Sequence, residues 1–318
     1  MGDVLKKNIL LSGLGGSLFP YLLRKLSTKF NAFYIDSDKE IKNIYREEND
    51  IISPFVNSEN FISFITRLIV EKNIEFYIPL IDEELLIAKQ KVMNTCDINV
   101  IAPESEFIKL CLDKYELMNQ LAKQDISKIP TYRADNFIKQ INFPLFLKPL
   151  KGRGSRGIFK VNDEQQFESY FSLFGYNRED IIVQPYIEGT EYTVGVLCNR
   201  SNDIICLSSK RIIRKRGITQ IAVTENNRII ESLVYKLVES FKPSGPFNVQ
   251  LFLSKDDNSF IFEINPRFST TSILEYEGGL DLIELYIKHC DKRYSGDVLR
   301  PVENLRIHRR WESLFYYE

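Results

Sequence analysis

FIFEINPRFS, residues 260–269, sets Glu263, Asn265 and Arg267 at alternate positions in an otherwise bulky, apolar run. Successive side chains on a strand point to opposite faces, so a strand here gathers a carboxylate, an amide and a guanidinium on one side. Such a face suits a cation and an anion; the competing reading is the solvated outside of an antiparallel sheet. FNVQLFL (247–253) lies just upstream, across the turn-rich SKDDNS, and the spacing predicts a hairpin. With the tip at Asp256–Asp257, Gln250 opposes Glu263; with the tip at Asp257–Asn258, it opposes Asn265. Either way one face collects Phe247, Val249, Leu251, Leu253, Phe260, Phe262 and Ile264. That face is the buried one, since a one-residue slip exposes all of it. The other carries Asn248, Gln250, Glu263 and Asn265, with Phe252 and Ile261 beside them. Those two apolar neighbours argue for a covered polar site over open solvent. Oxygen donors of this kind suit Mg²⁺, which keeps waters and shares phosphate ligands.

The chain's 318 residues are enough for two or three packed units. Its 42 basic and 43 acidic residues nearly balance, without the basic excess of a nucleic-acid binder. The five cysteines show no paired spacing and read as buried thiols of a reducing compartment. Lys6 and Lys7 precede NILLSGLGGSLFPYLL, which has the look of a signal peptide. Glycines and Pro20 interrupt it, and no run reaches the roughly 18–20 apolar residues of a membrane span. A cytoplasmic protein with no membrane or nucleic-acid partner is expected; a homo-oligomer is compatible with this reading.

Over the first hundred residues, NILL (8–11), NAFYID (31–36), FYIPL (76–80) and INVIAP (98–103) alternate with helical segments. That order predicts a parallel sheet covered by helices. Residues 104–187 read as two helices followed by a compact α+β unit, and residues 188–318 as a strand-rich unit ending in the hairpin. The expected organisation is therefore an α/β unit over 1–103, then 104–187, then 188–318.

FLKPLKGRGSRGIF (146–159) sets Gly152, Gly154, Ser155 and Gly157 after Lys148. Glycines let a backbone approach a phosphate closely. No Gly-Lys-Ser/Thr follows, and an ordinary turn with solvating lysines explains the stretch equally well. GLGG (13–16) follows a strand, yet Leu18 stands where a dinucleotide fingerprint needs its third glycine, so a tight turn is the better reading. KRIIRKR (210–216) suits an anionic small substrate or a solvated strand edge. His289 and His308 have no partner at catalytic or metal spacing.

In this order and spacing, Asp113-Lys114, the glycine loop after Lys148, VQPYIEGTEYTV (183–194) and FEINPR (262–267) resemble the ATP-grasp superfamily, most closely its carbamoyl-phosphate synthetase large-chain-like branch. The resemblance covers nearly the whole chain. It implies an N-terminal parallel-sheet domain followed by a two-subdomain ATP-grasp fold, with ATP clamped between the two. Lys114 and Lys148 are then expected at the phosphates or the adenine edge, with Gly154 and Ser155 in the closing loop. Gln184, Pro185, Tyr186 and Ile187 would form the adenine hinge, and Glu191 would bond the ribose. Gln250, Glu263 and Asn265 would hold Mg²⁺, with Mn²⁺ as an alternative ion. Arg267 and Lys210 are the implied catalytic residues. The implied reaction joins a small carboxylate to an amine through an acyl-phosphate. Departures are Gln184, where many relatives carry glutamate, Gln250, which fills an acidic-or-amide position and leaves Glu263 as the charged ligand, and Ser269-Thr270-Thr271, where relatives often carry small glycine-rich residues. The rival readings are an ATP-binding regulatory or scaffold protein without turnover, and an NAD-dependent oxidoreductase using GLGG.

Overall fold

In the computed structural model, which describes residues 6–41, 50–136, 141–152, 156–310, 313 and 315, the first unit is a parallel sheet. Its strands are β1 (Asn8–Ser12), β2 (Asn31–Asp36), β3 (Asp50–Ile52), β4 (Phe76–Ile78) and β5 (Asn99–Val100), in the order β3-β2-β1-β4-β5. Ile9, Leu10 and Leu11 are all buried, as expected of a strand covered on both faces. The helix Phe61–Glu71 contributes Phe61, Ile65, Leu68 and Ile69, a stripe at helical spacing. The chain leaves β1 toward β2 on one side and later adds β4 on the other. A crevice therefore opens at the carboxyl ends of these strands, where such sheets bind ligands. GLGG forms a tight turn at its edge, with Gly13 at φ 79° and the Gly16 N–H donating to the Gly13 carbonyl at 3.0 Å.

The second sheet is antiparallel, β6 (Tyr132–Arg133), β7 (Leu145–Pro149), β8 (Phe159–Val161) and β9 (Ile181–Pro185), in the order β6-β9-β7-β8. The helix Glu164–Phe174 covers it, capped by Asp163 and ended by Gly175 at φ 66°. This unit keeps a core of its own around Leu145, Leu147, Val161, Tyr170 and Val183.

The third sheet comprises β10 (Thr190–Cys198), β11 (Ile204–Arg216), β12 (Ile218–Thr224), β13 (Gly245–Leu253), β14 (Ser259–Asn265) and β15 (Arg306–His308), in the order β14-β13-β10-β11-β12-β15. Val249, Leu251 and Ile264 pack with Ile230, Val234 and Leu237 of the helix Arg228–Phe241. A separate cluster joins Leu11 and Leu22 of the first unit to Leu197, Ile205, Phe268 and Tyr286. The first and third sheets are thus welded by shared apolar packing, which fixes their facing side chains. All five cysteines are free. No helix among the described residues is long and apolar enough to cross a membrane.

Candidate functional site

The hairpin β13–β14 pairs Asn248 with Asn265, Val249 with Ile264 and Gln250 with Glu263, the first of the two predicted registers. A bulge then shifts the pairing to Leu251–Ile261 and Phe252–Phe260. The expected partition of faces is corrected there. Ile261 is fully buried in the core, and Phe262 turns out to stack on Phe252, ring centroids 4.8 Å apart. One extra residue in a strand reverses facing beyond it.

Between the second and third sheets lies a cavity of about 220 Å³, walled by Phe146, Lys148, Gln184–Ile187, Glu191, Lys215, Phe252, Phe262 and Glu263. A second cavity, about 450 Å³, is walled by Asp82, Lys151, Gly152 and Asn265 among others. Lys114 and Glu263 belong to both walls. Asp113 caps the helix Lys114–Lys123 by accepting from the Glu116 N–H at 3.0 Å, which starts the helix with Lys114 facing inward. The Lys114 ammonium donates to the Gly152 carbonyl at 2.9 Å and stands 3.8 Å from Glu263.

Lys148 is buried, its ammonium 4.9 Å from the Phe262 ring centroid. Burial pulls it down to about 8; Glu263 and Glu191 oppose the fall, while Lys114 and Lys215 add to it. Buried Gln184 donates to the Thr131 hydroxyl at 2.9 Å. The Tyr186 N–H is engaged by the Pro144 carbonyl at 3.0 Å, and its ring stacks on Phe146. Of the hinge amides after Pro185, only Ile187 keeps an N–H without a partner among the described residues. Gly154 and Ser155 lie outside the described residues.

Three expectations are corrected. Gln250 faces Glu263, but its side-chain oxygen accepts from Lys215 at 3.2 Å, so this amide is taken by a cation of the chain itself. Arg267 does not continue the alternation, because β14 ends at Asn265. Its guanidinium is held by Asp82 of the first unit, and it walls a separate cavity with Gly13, Gly15 and Thr270. Lys210 shares a cross-strand row with Thr193, Gln250 and Glu263, yet it is fully buried against Glu275 and walls none of the cavities above. Gly195 makes room for that pair, since a Cβ there would collide with the Glu275 carboxylate and stand 3.0 Å from the Lys210 nitrogen. Lys210 is therefore a structural cation. Lys210→Ala is expected to cost about 3–5 kcal/mol of stability by stranding Glu275, with the double change Lys210→Met/Glu275→Leu costing less. Thermal and urea unfolding of the three proteins checks this.

Arg211 pairs with Glu225 at 2.7 Å and Lys215 with Glu191 at 2.6 Å. With Lys210, three of the five basic residues of KRIIRKR thus have carboxylate partners, which removes the argument that this segment attracts an acidic substrate. Lys215 is the cavity residue that reading residue by residue missed. A bulge between Ile212 and Lys215 precedes it, which hides its facing from a simple alternation count. Asp36 ties this turn to β2, accepting from the Gly15 and Asp38 N–H groups at 3.1 and 3.0 Å, which fits the tight-turn reading of GLGG.

A profile of the ATP-grasp domain family matches residues 111–271. Tyramine–L-glutamate ligase of Methanocaldococcus jannaschii is 24% identical over 299 residues, covering 90% of this chain and 84% of that protein. The carbamoyl phosphate synthase large chain of Pseudothermotoga lettingae is 27% identical over 199 residues, 54% of this chain but only 18% of its own length. Among solved structures, the biotin carboxylase domain of Hydrogenobacter thermophilus 2-oxoglutarate carboxylase, with MgADP, ADP and bicarbonate, aligns at a TM-score of 0.73. That alignment has 17% identity and covers 92% of this chain and 72% of the other.

Proposed function

Because the chain belongs to the ATP-grasp family, we propose that it is a Mg²⁺- and ATP-dependent ligase joining a small carboxylate to an amine. The observation that carries this reading is the position of Glu263 and Lys114, walls common to the hinge cavity and the larger cavity beyond it. A nucleotide with its base in the first and its phosphates directed toward the second must run past both the Glu263 carboxylate and the Lys114 ammonium.

In this reading the base enters between Phe146, Phe252 and Phe262 and meets the Ile187 N–H, while Glu191 serves the ribose. Lys148 and Lys114 take the phosphates. The donor set fits one hard cation. Among the described residues Glu263 has no closer cation than Lys114 at 3.8 Å, and Asn265 gives its side-chain nitrogen, not its oxygen, to Asn248 at 3.3 Å. Gln250, held by Lys215, is not needed for that ion. When bound, Mg²⁺ neutralises charge on the β- and γ-phosphates.

A substrate carboxylate oxygen then attacks the γ-phosphorus, the bond to the β–γ bridging oxygen breaks, and ADP leaves. The amine attacks the acyl carbon, phosphate departs, and the amine gives up a proton. Positioning and charge do the catalytic work. Arg267, oriented by Asp82, offers its guanidinium to the acyl-phosphate. The second unit has a core of its own, which allows it to move as a body over the nucleotide and exclude water.

ADP release with paired panels of carboxylic acids and amines tests the proposal. Release is expected only with Mg²⁺ and only with both substrates of the right pair. Tight ATP binding that no acceptor pair converts into ADP would instead support a scaffold role.

A further inference from the structure

The crevice at the carboxyl ends of β1 and β2 holds a cavity of about 240 Å³ that the phosphate site does not use. Glu84 walls it, is 1% exposed, and neither of its carboxylate oxygens has a hydrogen-bond partner among the described residues. An unpaired buried carboxyl is costly, and a fold keeps one where something else completes it.

The surroundings define what that is. Asp36 and Glu83 also wall the cavity, with the hydroxyls of Ser12 and Ser53, and no Lys, Arg or His does so among the described residues. Asp36 accepts two backbone N–H groups, whereas both buried oxygens of Glu84 are without a partner among the described residues. No group of three His, Cys, Asp or Glu among the described residues can hold a metal ion. Phe55, Phe61, Ile35 and Ile81 supply apolar walls. Burial pushes the Glu84 carboxyl up to about 8, with the Ser12 hydroxyl opposing and Asp36 adding to the rise. A cation brought beside it reverses that shift. Asp36, Ser37 and Ile81 are also walls of the neighbouring cavity that Arg267 lines.

We propose that this cavity binds the ammonium group of a small substrate with an apolar or aromatic body, with Glu84 as its counter-charge. The inference rests on the ligase reading only in assigning that molecule as a substrate, placed one cavity away from Arg267.

Isothermal titration of the full chain, with and without MgADP, tests it using 2-phenylethylamine, phenylalanine and 3-phenylpropionate. The two ammonium compounds are expected to bind at least tenfold more tightly than 3-phenylpropionate, and Glu84→Gln to remove that advantage. Phenylethylamine binding at least as well as phenylalanine identifies a simple amine as the source. A preference for phenylalanine that Arg267→Ala abolishes identifies an amino acid. Equal binding of 3-phenylpropionate, unchanged amine affinity in Glu84→Gln, or no binding of either ammonium compound overturns the proposal. Retained MgADP affinity certifies that Glu84→Gln is folded. If it does not fold, Val56→Trp, which narrows the cavity from its rim, must abolish amine binding, and retention there overturns the proposal as well. MgADP binding without amine binding defeats this inference alone, whereas amine binding without any nucleotide binding defeats the ligase reading alone.

Discussion

Glu263→Ala is expected to lower Mg²⁺-dependent ADP formation by on the order of a hundredfold to a thousandfold, the usual loss when one preorganised electrostatic partner is removed. The reason lies in how few charges serve this place. Gln250, across the hairpin, is neutral and engaged by Lys215, and Asn265 is an amide. Of the three hairpin residues Gln250, Glu263 and Asn265, Glu263 is therefore the one carboxylate offered to the cation in the proposed site. Its removal also leaves Lys114 without the carboxylate 3.8 Å away, so the ammonium is drawn further toward the Gly152 carbonyl it already meets at 2.9 Å. The effect should fall on kcat more than on protein stability, because the Glu263 side chain is 23% exposed and its ion pair is loose. Asn265→Ala should lose less, since a neutral ligand is removed. Turnover with saturating Mg²⁺ and the best substrate pair, measured beside urea unfolding, separates these outcomes. Glu263→Ala activity within tenfold of the parent means that the carboxylate merely faces solvent.

The parts of the fold carried by periodicity could be read from the sequence. Alternation of strand and helix over the first hundred residues gives four of the five strands of β3-β2-β1-β4-β5, missing only the short edge strand β3, and Val249, Leu251 and Ile264 could be assigned to the core from their spacing. Lys148, Glu191 and Gln184–Ile187 do meet around one cavity with Glu263. What escaped was anything that depends on one residue more or less. The bulge after Gln250 brings Phe262 to the cavity and Ile261 to the core, and a bulge before Lys215 obscures the facing of that lysine. No residue type marks either position, so counting by twos fails there. Long-range pairing was equally illegible. Asp82 holds Arg267 across 185 positions, and Glu275 meets Lys210 across 65. The first pair arises from the packing of the first unit on the third, and the second from the helix Ile273–Glu277 meeting β11; nothing in the local sequence marks either partner. Glu84 is the sharpest case. In DEELLIAKQKVMN it looks like an ordinary acid of a helical turn, and only the folded crevice reveals that it is buried and unpaired.

Nucleotide affinity is expected to weaken as pH rises through about 8, by up to roughly tenfold per unit, because Lys148 loses the proton that makes it a phosphate partner. Burial lowers its folded value below the ordinary 10.5, with Lys114 and Lys215 adding to the fall. A bound triphosphate restores the charge, so binding takes up a proton on the alkaline side, and the slope levels off where the complex itself begins to lose that proton. The Lys148 share of stability moves the other way. Between about 8 and 10.5 the unfolded chain carries more protons at this lysine than the folded one, so its contribution to stability rises with pH over that window. Lys148→Met should lower turnover by on the order of a hundredfold, remove the alkaline loss of affinity and delete the Lys148 share of the stability slope. Lys148→Arg, permanently charged, should remove the alkaline loss of affinity even if the larger head packs less well against Phe262. The checks are ATP titrations and urea unfolding of the three proteins from pH 7 to 10. Burial raises several tyrosines and cysteines, whose effect on stability is common to parent and variant, so the difference between the parent and Lys148→Met in each slope isolates this ammonium. A parent affinity that stays level across pH 8–10 removes Lys148 from the phosphate site, since a group this deeply buried cannot keep its charge there without a ligand to share it.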